Sequence, residues 1–208
     1  MKTGVQGSQN LAAGAPAAPS LARNGSIVMQ DDFAAAVERG NVYGVANQTG
    51  VTSQAGLSAT TPVLTLYNPA GSGKTGRLWF AGATIEVAAA TAGSIVLAAG
   101  TNTVAAAVTG TLTTAHRNLK FGGTNAQGNK LVPMLAATLP AAPVAISILG
   151  VMLTGAITTI PALGNFGRWF FGSILIQPGT NISIQTLVAS GASGLLCEYI
   201  WEECDLIS

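Results

Sequence analysis

The stretch from Arg168 to Val188, RWFFGSILIQPGTNISIQTLV, constrains the fold more than any other. Two apolar runs flank Gln177-Pro178-Gly179-Thr180-Asn181. Pro presets φ for the second position of a turn and Gly supplies the positive φ of the third, as a type II turn requires. After the turn, Ile182, Ile184, Thr186 and Val188 share one parity, with Ser183 and Gln185 on the other. A period of two predicts a strand with one buried face. Before the turn, Trp169 to Ile176 is apolar on both parities, which predicts a strand covered on both sides. Together they predict a β-hairpin at the centre of an all-β domain.

The rest of the chain repeats this pattern of short strands. Strands are expected at Pro62–Tyr67, Arg77–Ala89, Ser94–Ala99, Thr103–Thr109, Leu131–Leu139, Val144–Leu153, Ala156–Ile160 and Leu195–Glu203, with weak ones at Leu112–Thr114 and Leu119–Phe121. Gly, Pro and Asn clusters separate them. One helix is expected: Asp31 or Asp32 as N-cap, Phe33 to Arg39 as body with Phe33 and Val37 on its buried side, and Gly40 as C-cap. Residues 1–30 are rich in Gly, Ala, Ser, Gln and Pro, with a short strand possible at Ser26–Gln30, and read as an extended arm. No apolar core of signal-peptide length follows Lys2. The expected division is an arm over 1–30, a short helix and connection over 31–61, and a jelly-roll β-sandwich over 62–208.

Charge narrows the function classes. Charged residues make up 8% of the chain, against about 25% in ordinary soluble domains. A monomer of this size exposes on the order of 9,000 Å², or about one charge per 500 Å². Large uncharged patches of that kind usually become interfaces, so an obligate homo-oligomer or shell subunit is expected. The net charge of +1 gives no basis for nucleic-acid binding. Cys197 and Cys204, if on one strand, lie about 23 Å apart at ~3.3 Å per residue, too far for a disulfide. Both are expected to be reduced.

Stretches that mimic chemical motifs have simpler explanations. Gly71-Ser72-Gly73-Lys74-Thr75 resembles a phosphate loop, but Asn68 stands where the leading Gly belongs and a strand, not a helix, is expected after it. Val144 to Leu163 is uncharged and hydrophobic enough for a membrane span, yet Pro and Gly interrupt it and buried strands give the same average. His116 is the sole histidine, so no His-based triad or metal cluster forms, and Cys197, Glu198 and Cys204 are too dispersed to hold a metal. Glu202 and Glu203 point to opposite faces of a strand and are expected at an exposed strand end. Glu86 is expected in an ion pair with Arg77 or Arg168. Trp79, Trp169 and Trp201 are expected in core or interface packing rather than as a sugar platform. No catalytic residue, cofactor site or metal site is expected.

Four pieces of sequence together resemble a family. Thr65-Leu66-Tyr67-Asn68-Pro69-Ala70-Gly71-Ser72-Gly73-Lys74 before a long strand, Ile176-Gln177-Pro178-Gly179 leading into Ile182-Ser183-Ile184, the ending Tyr199-Ile200-Trp201-Glu202-Glu203, and the helix end Glu38-Arg39-Gly40-Asn41 are similar to the small jelly-roll proteins of tailed-bacteriophage particles. The resemblance spans about Asp32 to Glu203. It implies a virion structural protein, synthesised in the host cytoplasm: a homotrimeric capsid decoration or cement protein that binds the outside of the head and locks major capsid proteins together. The partners implied are other copies of the chain and the major capsid protein, with no direct nucleic acid and no membrane. A tail or fibre module binding host glycan through Trp79 or Trp169 is the alternative, and a membrane or pore-forming protein a more distant one.

Overall fold

The computed structural model describes residues 31–52, 56–86, 91–100, 108–122, 128–152, 165–189 and 194–206. The arm over 1–30, most of the strand expected at Thr103–Thr109 and the one at Ala156–Ile160 lie outside the described residues. One helix, α1 (Asp32–Arg39), precedes eleven strands among the described residues: β1 (Val42–Ala46), β2 (Leu64–Tyr67), β3 (Lys74–Ile85), β4 (Gly93–Ala99), β5 (Thr109–Leu112), β6 (Arg117–Asn118), β7 (Val132–Thr138), β8 (Val144–Met152), β9 (Asn165–Ile176), β10 (Asn181–Thr186) and β11 (Leu195–Asp205). They form two antiparallel sheets, ordered β6-β1-β11-β3-β9 and β5-β7-β2-β10-β4-β8. The fold is therefore all-β, two sheets packed as a sandwich.

The core lies between the sheets. Leu78, Tyr199 and Trp201 from the five-stranded sheet meet Leu64, Leu66, Ile95, Leu97 and Ile184 from the six-stranded one. A smaller cluster of Tyr67, Val108, Met134, Ala137 and Leu139 covers the other face of β2. The helix forms where its caps place it. The Asp31 carboxylate accepts from the Phe33 N–H at 2.7 Å, and Gly40 closes the last turn at φ 77°, with its N–H on the Val37 carbonyl.

The Pro-Gly turn forms as its chemistry requires, with Gly179 at φ 83° and the Thr180 N–H on the Gln177 carbonyl. The segments it joins do not pair with each other. β9 pairs with β3, whereas β10 pairs with β2 and β4, so the expected hairpin is instead a corner between the sheets. The same holds throughout: among the described pairings, no two strands consecutive in sequence are partners. Asn68 locks the corner. Its side-chain amide donates to the Lys74 and Ile176 carbonyls, its N–H donates to Thr180 and its carbonyl accepts from Gly179.

The expected coverage of the two strands flanking the turn is inverted. Every residue of β10 is buried. Its polar row is covered because small and amide side chains can bond the chain that lies over them: Gln185 Nε2 donates to the Ser58 carbonyl and the Ser183 hydroxyl. β9 is an edge strand with one face in the core and the other exposed. Val42–Ala46, read above as part of a connection, is a strand between β11 and β6, so the segment over 31–61 contributes to the sheet. Its period-two signal, Tyr43 and Val45, is only two residues long and lies within a polar stretch.

Candidate interaction surface

The residues examined for chemistry are held in structural roles. The Gly-rich loop opens β3, a strand, and Lys74 pairs with Asp205 at 2.5 Å. His116 Nδ1 lies 2.9 Å from the Thr113 carbonyl. Cys197 and Cys204 are both free; burial pushes the Cys197 thiol far up and the Cys204 thiol to about 11, so neither is a thiolate nucleophile at neutral pH. Among the described residues no group of three or more His, Cys, Asp and Glu is placed to hold a metal ion.

Glu202 and Glu203, adjacent on β11, do point to opposite faces, but they are buried rather than exposed. Glu202 lies under α1, with its Oε1 3.4 Å from Arg39 Nη2 and its Oε2 accepting from Trp79 Nε1 at 3.4 Å. Glu203 accepts from the Lys130 and Leu131 N–H groups at 2.8–2.9 Å and from Trp201 Nε1 at 3.2 Å. Fixed donors replace the water each carboxylate loses, which is how two charges can sit in a β-sandwich. Glu86 appears in none of the ion pairs among the described residues. Arg77 instead approaches Glu202 at 4.0 Å, and Arg168 donates to the Ser147 hydroxyl and lies over the Phe170 ring.

What the surface offers is apolar area, concentrated at one flank. β8 and β9 are the edge strands of the two sheets and lie side by side there, joined by the Arg168–Ser147 bond. On β9, Phe170 and Ile176 enter the core while Trp169, Phe171 and Leu175 face out, Trp169 46% and Phe171 72% exposed. A bulge opposite Trp79 produces this pattern, since β3 pairs Leu78 with Ile174 and Phe80 with Trp169. Inside the bulge Phe171 takes φ 50° and Gly172 φ 74°. On β8, Val144, Ile146, Ile148 and Val151 are exposed, Ile148 to 65%, while Met152 is buried. Arg168 is the one charged residue in either strand.

The helix completes this flank. Phe33 meets Trp79 edge to face at 4.9 Å and Trp169 at 5.9 Å, and Phe171 stacks on Trp169 at 6.1 Å. These rings, with Asp31 and Asp32 at the start of α1, line an open groove of about 700 Å³. Of the three tryptophans expected in packing, Trp201 is in the core and Trp79 is buried beneath the helix; only Trp169 reaches solvent. Sequence reasoning missed Phe33 as a wall of the groove. The exposed row on β9 had a signal, since its two-sided apolar run asks for cover on both faces and the protomer supplies one.

The chain matches no protein-family model, no curated protein and no solved structure. Among the described residues no helix is long and apolar enough to cross a membrane.

Proposed function

We propose that this chain is a jelly-roll decoration protein of a tailed-phage head: a homotrimer on the outer capsid surface that ties neighbouring major capsid proteins together. The observation that carries the proposal is the strand order. Setting aside β5, β6 and β7, the sheets read β1-β11-β3-β9 and β2-β10-β4-β8, with each successive strand changing sheets except at β4 and β8, which pair within one sheet. This supports the jelly roll, an eight-strand double-sheet arrangement. The segments that carry the family resemblance support it too, because they are architectural. Tyr67-Asn68-Pro69 and Pro178-Gly179 interlock at one corner, and Trp201-Glu202-Glu203 sits at the centre of a sheet. Conserving chemistry is not what such residues do; they hold a shape that presents surface. The mechanism is burial of that surface at about 25 cal/mol per Å², repeated over a shell so that many modest contacts act together.

Two measurements test this. Light scattering of the purified chain is expected to give about three times 20.8 kDa across concentrations. Co-sedimentation with undecorated heads of the phage that encodes it is expected to show saturable binding, and removal of residues 1–30 is expected to weaken that binding without changing the number of chains in the oligomer. A monomer that ignores heads overturns the proposal. The groove favours a second reading, a tail or fibre module that stacks a host glycan on Trp169 beside Asp31 and Asp32. A specific hit on a glycan array, lost in Trp169→Ala, would favour it.

A further inference from the structure

We infer that copies of this chain join head to tail through the β8–β9 flank, the aromatic row of one copy packing on the aliphatic row of the next. The inference rests on the homo-oligomeric part of the proposed function. Its first ground is the mismatch between sequence and burial: β9 is apolar on both faces, yet only one is covered. Its second is the state of the edges. Long edge strands are normally guarded by Lys, Pro or charge. Here β8 and β9 carry Arg168 alone, and that guanidinium is already engaged by Ser147 and Phe170. On the opposite flank the edges are short, β5 of four residues and β6 of two, and Arg117 stands on β6 with Lys120 just beyond it.

The contact is head to tail because the two rows turn opposite ways. Trp169, Phe171 and Leu175 stand on the outer face of the five-stranded sheet, whereas Ile148 and Val151, opposite Val96 and Ser94 of β4, stand on the outer face of the six-stranded sheet, with Ile146 exposed at a bulge beside them. A copy rotated about an axis along this flank brings one kind of row onto the other, and with a threefold rotation such unlike contacts close into the ring that the proposed homotrimer requires. The rows also match in size, each offering on the order of 350 Å² of exposed apolar side chain. Together they bury about 700 Å², and with an ordinary polar share the contact reaches roughly 1,200 Å², the lower limit of a stable interface.

Ile148→Glu and Phe171→Glu each place a charge in one row and leave the other intact. By light scattering, each variant alone is expected at 20.8 kDa, with wild-type far-UV circular dichroism, and their mixture at about twice that mass, since one good contact survives between unlike chains. Leu112→Glu and Phe121→Glu on the opposite flank are expected to keep the wild-type mass. If either glutamate variant misfolds, chains carrying Ile148→Cys and Phe171→Cys in a Cys204→Ser background are mixed with a short bis-maleimide, and cross-links are expected between unlike chains only. A wild-type oligomer that survives both glutamate substitutions, glutamate monomers whose mixture stays monomeric, or cross-links between like chains overturns the head-to-tail contact while leaving the decoration reading standing. A wild-type monomer overturns both.

Discussion

Single residues here show what a nearly uncharged sandwich does with the charges it keeps. Glu203 is buried because two backbone N–H groups and an indole N–H converge on it. Glu203→Ala is expected to cost about 3 kcal/mol or more, read by chemical denaturation, because it strands those donors without water. Glu198 behaves differently. Burial raises its carboxyl above the usual range, so folding opposes its ionisation. Its folded pKa lies above its unfolded one, so the unfolded state releases the proton first and stability falls as pH rises between the two. Glu198→Gln is expected to raise the melting temperature at neutral pH and leave it unchanged at about pH 3, below both values. Phe171 bears a backbone cost: at φ 50° a side chain crowds its own carbonyl by roughly 1 kcal/mol. Phe171→Gly is therefore expected to hold or slightly raise the stability of the isolated protomer while weakening association, a pair of opposite effects that denaturation and light scattering separate.

At the scale of elements, the sequence located the long strands, missed β1, misplaced the short β5 and β6 by a few residues, and misjudged what covers the strands. Turn chemistry is local, so Pro178-Gly179, Asp31 and Gly40 act as their residue types demand. Strand positions follow from period-two apolarity, which is local too. Coverage is not local. Ser183 and Gln185 look solvent-facing because they are polar, yet the 56–60 segment closes over them through hydrogen bonds no pattern announces. The burial of Glu202 depends on α1 folding back across β11 to bring Arg39 within reach, a contact between residues far apart in sequence. Pairing is equally non-local, which is why an apparent hairpin is a corner. The exposed rows of β8 and β9 were legible only as an excess: more apolar faces than one protomer can bury. Asp31→Ala tests the helix as an element. Loss of its cap is expected to cost about 1 kcal/mol and to loosen Phe33 from Trp79 and Trp169, read as a change in tryptophan fluorescence.

For the molecule as a whole, the two sheets are bound by pairings that span most of the chain: β1 with β11, β2 with β10, β3 with β9 and β11. A protein built from such contacts closes long loops before it gains anything from them, so refolding is expected on the millisecond-to-second scale, without the rapid phase that local hairpins give. Stopped-flow fluorescence from the buried Trp201 can follow it. The position of β11 sharpens the point. It runs between β1 and β3, the middle of its sheet, and is the last strand to be synthesised among those described. A chain halted at Gly194 is expected to show no cooperative melting transition. On the ribosome, then, β1 and β3 must wait without the strand that joins them until Leu195–Asp205 has emerged, and the inner face of the six-stranded sheet, whose own strands are all made earlier, stays uncapped for as long.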